Sequence, residues 1–374
     1  MNIKFRSILS LIVGSALITL FSGATAAAEG ESLMDRIHPS GDIRLRYEKD
    51  ASRGNGNDNR HRARARLRFG VGVDVTDEVM AGFRVRTGNS QDPKSPHQTF
   101  GNEFNSWEFS LDRAYVKYSP GWAEGAWVEG GKMANPFKTN PVYGELVWDA
   151  DVNPEGGQVG YRWSQNGFAV GGATGIWVLD NNNGNNATIL PIQGYAEVKE
   201  GDVKVTAAVA LYKYSDMNST GVGGLVGNAR GNTIAGGVYA SRFTILNSFV
   251  SVDYTGLSVP ITVVAELINN LGANRDSESM GWAVGAKTKF PLCGRTHKLF
   301  YQYQKIEADA VYNATAQDDF QSRASNFTGH IAGIDWSLTK AVSFRTWALF
   351  ERDRNFDGGT HSNQRIRGDF NFKF

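Results

Sequence analysis

The chain has 374 residues, with 39 lysines and arginines against 38 acidic residues, and this near-neutral balance points to no nucleic-acid partner. It carries 43 glycines against 10 prolines, which suits many strands joined by tight turns, and its one cysteine, Cys293, excludes an intrachain disulfide. No run of about 18 apolar residues follows the first 28, so helical membrane spans are excluded.

In chain order, the first element is a leader. Lys4 and Arg6 precede an apolar run from Ile8 to Phe21, and small residues follow at Ala24 to Ala28. This is the layout of a secretory signal peptide over 1–28, cut after Ala26 or Ala28. Residues 29–40 then form a short periplasmic segment, too small to plug anything, and 41–374 form one domain. There, polar and apolar side chains alternate from Gly41 to the last residue, Phe374. Alternation of this kind gives each strand one face for oil and one for water.

The connections sort into two classes. Short ones fall at 75–78, 120–125, 164–167, 199–202, 255–258, 291–295 and 338–341. Long ones run over 50–59, 89–107, 135–155, 180–189, 215–245, 270–279, 307–325 and 353–363. The two classes alternate, which predicts 16 strands in eight hairpins, with both termini on the short-turn side. Thr233 to Ala240 also alternates, but a spanning strand there would break the parity, so it belongs to the fifth long loop. The expected fold is all-β: a closed, antiparallel, up-and-down transmembrane barrel of the bacterial outer membrane, with short periplasmic turns and long external loops. Aromatics near strand ends, such as Tyr47, Tyr161, Trp163, Phe350 and Phe370, fit the interfacial girdles of such a barrel.

A barrel of this width holds water unless something fills it, so lumen-facing residues set what passes. In the first half these are basic: Arg44, Arg46, the ladder Arg62, Arg64, Arg66 and Arg68, then Arg84, Arg86, Arg113, Lys132 and Arg162. Such a cluster concentrates anions and repels cations. The third long connection carries acids: Glu145, Asp149, Asp151 and Glu155. Folded into the lumen, they would face the arginines across a constriction. Left outside, they would bind divalent cations or bridge to lipopolysaccharide.

The whole span after the leader resembles the Gram-negative outer-membrane porins, and among them the putative-porin group of general-diffusion type. The resemblance rests on Gly41-Asp42-Ile43-Arg44-Leu45-Arg46-Tyr47, Arg64-Ala65-Arg66-Leu67-Arg68-Phe69-Gly70, Asp112-Arg113-Ala114-Tyr115-Val116, Gly130-Gly131-Lys132-Met133-Ala134-Asn135-Pro136-Phe137 and the terminal Phe374. It implies a trimer of 16-stranded barrels with the third loop folded inward. Arg44, Arg64, Arg66, Arg84 and Lys132 would belong to its basic wall, and Glu145 and Asp149 to its loop. Phe374 would be the signal read by the barrel-assembly machinery. The fifth loop is unusually long and rich in glycine, and no segment matches the phosphate- or sugar-specific porins.

The expected function is passive diffusion of small hydrophilic solutes and ions, with an anion preference and no cofactor. Outer-membrane lipid and lipopolysaccharide would surround the barrel. A barrel hydrolase is the first rival, but none of the six histidines sits in a triad or metal spacing. A barrel that acts only through its external loops, in adhesion or structure, is the second. Its signature would be a plug domain or an apolar lumen face, and the sequence has neither.

Overall fold

The structure, a computed structural model, describes residues 34–53, 59–181, 186–217, 231–320, 324–353 and 362–374. The leader and its cleavage site lie outside the described residues.

Sixteen long strands run in chain order: β1 (Ile37–Arg53), β2 (Arg60–Asp74), β3 (Val79–Arg86), β4 (Ser110–Tyr118), β5 (Ala126–Lys132), β6 (Glu155–Gln165), β7 (Phe168–Asp180) and β8 (Ala187–Glu200). They continue as β9 (Val203–Ser215), β10 (Thr244–Tyr254), β11 (Ile261–Asn270), β12 (Met280–Leu292), β13 (Arg295–Ile306), β14 (Phe327–Ser337), β15 (Val342–Asp353) and β16 (Ser362–Lys373). Each pairs antiparallel with its sequence neighbour, and β1 pairs with β16 from Asp42↔Lys373 to Arg53↔Ser362, which closes the barrel. Closure leaves no strand edge to face lipid. At the seam, Gly41 and Phe374 exchange both backbone hydrogen bonds, at 2.9 and 3.1 Å.

Strand β1 opens at Ile37, inside the segment expected to precede the barrel, because residues 37–40 pair with Gly70 to Val73 of β2. The alternation within Thr233 to Ala240 is a small hairpin in the fifth loop, Ile234–Ala235 against Val238–Tyr239, as its parity requires. The short turns are tight. Between Gln165 and Phe168 only Asn166 and Gly167 intervene, at φ +48° and +81°. Both positions need a left-handed backbone, which Asn tolerates and Gly adopts freely.

The two faces separate cleanly on β11. Ile261, Val263, Ala265 and Leu267 are exposed, whereas Thr262, Val264, Glu266 and Ile268 are buried. Exposed Leu45, Ile43, Ile366 and Phe370 extend the outward apolar surface around the closure seam. A soluble protein would not leave so broad an apolar belt uncovered, and a barrel in lipid requires it.

The core lies inside the barrel. Residues 133–154 and, of the second loop, 307–320 and 324–326 fold into the lumen and pack on β7 and β9–β14. Leu146, Val147 and Trp148 from the first loop and Val311, Tyr312 and Ala316 from the second join Trp177, Tyr212, Ile268, Ile306 and Ile331 in one buried cluster. Trp148 stacks on Tyr212 at 5.9 Å, and Tyr312 meets Tyr214 edge-on at 5.1 Å. The loops also bond to each other: Asp149 N–H donates to Thr315 O at 2.7 Å, and Gln317 N–H to Glu145 O at 3.0 Å.

Candidate functional site

The wall formed by β16, β1, β2 and β3 is charged. Alternation on β1 sends Asp42, Arg44, Arg46, Glu48 and Asp50 inward, and on β2 it sends Arg62, Arg64, Arg66 and Arg68 inward. Register places Arg44 opposite Arg66 and Arg46 opposite Arg64. Like charges directly opposite each other repel, so this arrangement needs counter-ions.

Acids on the same faces supply them. Arg46 makes a two-pronged pair with Asp369 of β16 at 2.8 and 3.0 Å. Asp42 accepts from Arg66 at 2.5 Å and from Arg68 at 2.7 Å. Glu48 sits between Arg62 and Arg367, and Asp50 between Arg60 and Arg365, each at 2.6 Å. The ladder is therefore interleaved in sign. Two-pronged guanidinium–carboxylate bonds are among the stronger polar contacts, and they fix these side chains against the wall.

On β4 a bulge shifts the register between Arg84↔Arg113 and Val85↔Leu111. The extra residue turns both Asp112 and Arg113 inward. Asp112 takes a bond from Arg84 at 2.6 Å and lies 3.4 Å from Arg86, whereas Arg113 donates to the amide of Asn153 at 2.7 Å.

The third loop enters the lumen, and its acids divide. Asp151 meets Arg68 at 2.9 Å, so one carboxylate does face the ladder. Glu145 and Asp149 instead stand at the contact with the 307–326 loop. Burial, with Asp319, Asp151 and Asp318 nearby, pushes the Glu145 carboxyl up to about 8. Burial and Glu145 raise Asp149 well above the usual carboxylate range. The Glu145 carboxyl is thus held largely protonated at neutral pH. Asp319 behaves oppositely: burial alone would raise it, but Arg367 and Arg46 hold it below its ordinary value. Tyr143 donates to Asp319 at 3.1 Å.

Four expected site residues sit elsewhere. Glu155 is the first residue of β6, exposed, and pairs with Lys132 at 2.6 Å, so neither is beside the ladder. Arg162 is exposed near the periplasmic turns, 3.9 Å from Glu197. Phe374 lies at the closure seam, its ring over Gly41.

Several lumen groups went unassigned in the sequence. Arg365 and Arg367 join the wall because β16 closes on β1, and their alternation up to Phe374 was the signal. The 307–326 loop turns inward, although its length alone suggested an external loop. Its run of Ala308, Ala310, Val311, Tyr312, Ala314 and Ala316 is far more apolar than a solvated loop. The 88–97 segment also dips inward: Lys94 donates to Asn313 O at 2.7 Å, and Arg64 to Ser95 and to His97 O at 3.0 and 3.2 Å.

A closed antiparallel barrel with an apolar outside, a charged lumen wall and loops folded into the lumen has the build of an outer-membrane channel. Residues 51–222, a little under half of the chain, match the family model described as putative porin, and with the barrel this supports a channel of the bacterial outer membrane, a passage for small hydrophilic solutes. Among solved structures, Pseudomonas putida OprB is 12% identical with a TM-score of 0.62, over 91% of this chain and 95% of that one. An anion-selective porin from Comamonas acidovorans is 13% identical with a TM-score of 0.52, over 90% and 99%. Vibrio cholerae OmpT in its trimer form is 14% identical with a TM-score of 0.52, over 91% and 100%. At these identities the likeness is one of fold. No curated protein matches the chain.

Proposed function

We propose that this porin is a non-enzymatic, anion-preferring diffusion channel that works as a homotrimer. One observation supports the anion preference above the others: among the described residues, Arg44, Arg64 and Arg113 have no carboxylate within ion-pair distance, while Arg46, Arg62, Arg66, Arg68, Arg84, Arg86, Arg365 and Arg367 all do. Three guanidiniums without a carboxylate partner, beside a Glu145 carboxyl raised to about 8, leave the constriction a positive excess. Positive charge in a narrow lumen between low-dielectric walls attracts anions and excludes cations. Asp151, beside Arg68, tunes that field, and Lys132, Arg162 and Glu155 act at its approaches.

The trimer is supported by the outside of the barrel. Strands β3, β4 and β5 are only 8, 9 and 7 residues long, shorter than every other stave. Their outer face carries an apolar groove of about 510 Å³ lined by Val71, Val73, Ala81, Phe83 and Val116. Beside this low wall, Phe100, Phe104, Trp107 and Phe109 are exposed. Exposed aromatics next to an apolar groove suit a neighbouring copy, and the Vibrio cholerae OmpT structure is of a trimer. Residues 1–28 direct export, outer-membrane lipid and lipopolysaccharide contact the outward belt, and Phe374 is read by the barrel-assembly machinery.

Liposome swelling with purified protein tests the reading. Small sugars should enter at rates that fall with size, and small anions should enter faster than cations of the same size. Folded protein that produces no swelling would instead favour a barrel that acts through its external loops. Chemical cross-linking in membranes should yield trimers, and a monomer alone would remove the assembly from the proposal.

A further inference from the structure

The uncompensated charges are not spread along the ladder. Arg44 and Arg64 flank the paired Arg46 and Arg66 across β1 and β2, and above them sits the inward 88–97 segment with His97. Arg44 is bonded through Nε to the amide oxygen of Asn371 at 2.7 Å, and Arg64 donates only to Ser95 Oγ and His97 O. His97 is 8% exposed, yet its Nε2 has no hydrogen-bond partner, and neither has the buried Nε of Arg64. Burial and the surrounding guanidiniums of Arg46, Arg44, Arg66 and Arg64 hold the imidazole well below its usual range, so it is neutral.

A buried polar atom left unbonded is destabilising, and a guanidinium without a counter-ion adds its own penalty. The two residues that carry these atoms touch, since Arg64 donates to His97 O. A single oxyanion resolves them together: it offers acceptor oxygens to planar guanidiniums and to an imidazole N–H, and it supplies the missing negative charge. Chloride would neutralise the charge, but it is a single sphere and lacks separate oxygens for the fork of an arginine.

We propose that Arg44, Arg64 and His97 form a discrete binding site for the oxyanion group, carboxylate or phosphate, of a permeating solute. The site rests on the channel reading and sharpens it, because it makes the pore a selective conduit for oxyanion-bearing solutes within a general anion field. His97 contributes a hydrogen bond and no charge. Its loss should therefore weaken binding without moving ion selectivity, which separates it from the two arginines.

The test uses the full-length native protein in planar bilayers in dilute potassium chloride, with succinate or inorganic phosphate titrated into one chamber. One of the two should reduce the chloride current along a saturating curve, and the tighter blocker identifies carboxylate or phosphate as the preferred group. The double variant Arg44→Gln with Arg64→Gln should raise the half-blocking concentration by about tenfold or more. His97→Leu should raise it several-fold at an unchanged reversal potential, His97→Gln should restore much of it, and Arg275→Gln, on an exposed external loop, should match the native protein. Chloride conductance with no saturable block by either anion overturns the site and leaves the channel standing. A block that is unchanged in the double variant overturns the residue assignment, and folded protein without conductance overturns site and channel together.

Discussion

The two sides of the lumen obey different rules. Along β16, β1 and β2, inward positions carry interleaved arginines and carboxylates, most of them fixed by a partner of opposite charge across the strands. Along β9 to β14, inward positions such as Tyr212, Tyr214, Ile245, Ile268, Ile306 and Ile331 are buried under the 133–154 and 307–326 loops. One side is a lattice of largely paired charges, and the other is a packed apolar core turned inside the barrel. The contrast teaches that a lumen-facing strand position is not wet by default. Loops decide it, and they are tied to the charged wall by the pairs of Asp151 with Arg68 and Asp319 with Arg367.

The largest expected effect comes from breaking the packed side. Trp148 contacts both Trp177 and Tyr212, and Trp148→Ala should cost about 3–5 kcal/mol in denaturant unfolding while raising single-channel conductance. Deleting residues 140–152 should raise conductance further, and an unchanged value would mean that the loop does not narrow the path.

On the charged side the arginines should separate into two kinds. Arg46→Gln strands the buried carboxylate of Asp369 and should cost about 3 kcal/mol. Arg64→Gln breaks no ion pair, so it should cost less than about 1 kcal/mol and lower the anion preference. Equal stability losses in the two variants would erase the distinction between structural and unpaired arginines.

A smaller effect should appear where the two loops meet. The Glu145 carboxyl is raised from 4.5 to about 8, so between those values the folded protein keeps a proton that the unfolded chain has lost. The contact is then strongest below pH 4.5 and weakens as pH rises toward 8. Asp318 and Asp319 face Glu145 from the second loop, Asp151 from its own loop and Arg44 from β1. Conductance should increase from pH 5 to 8.5 as like charge accumulates there, and Glu145→Gln should flatten the profile. Asp319 contributes with the opposite sign: its lowered carboxyl supports the Arg367 pair above its ordinary value and loses that pair on strong acidification. The smallest effect on the finished channel belongs to removal of Phe374, which should impair assembly in cells and leave the conductance of inserted protein unchanged.

Strand count, closure and the inward faces of β1 and β2 were legible because a period of two is local information: Arg62 to Arg68 declare one face without reference to anything distant. The ion pairs were half legible. Asp42, Glu48 and Asp50 share the inward face with Arg44 and Arg46 and could have been read with them, but Asp369 and Arg367 meet them only through closure of strands 323 and 319 residues apart. Asp112 was hidden by a bulge, which a strict alternation cannot foresee. The inward turn of 307–326 was missed because loop length was read and loop composition was not. His97 carried no motif, and its position depends on a segment that dips between two strands.

The most direct test of the account is the reversal potential of the native protein in a planar bilayer under a potassium chloride gradient. A potential close to the chloride limit is predicted, because Arg44, Arg64 and Arg113 leave the constriction positive. A potential on the potassium side would contradict it and transfer control of the pore to the carboxylates of the inward loops.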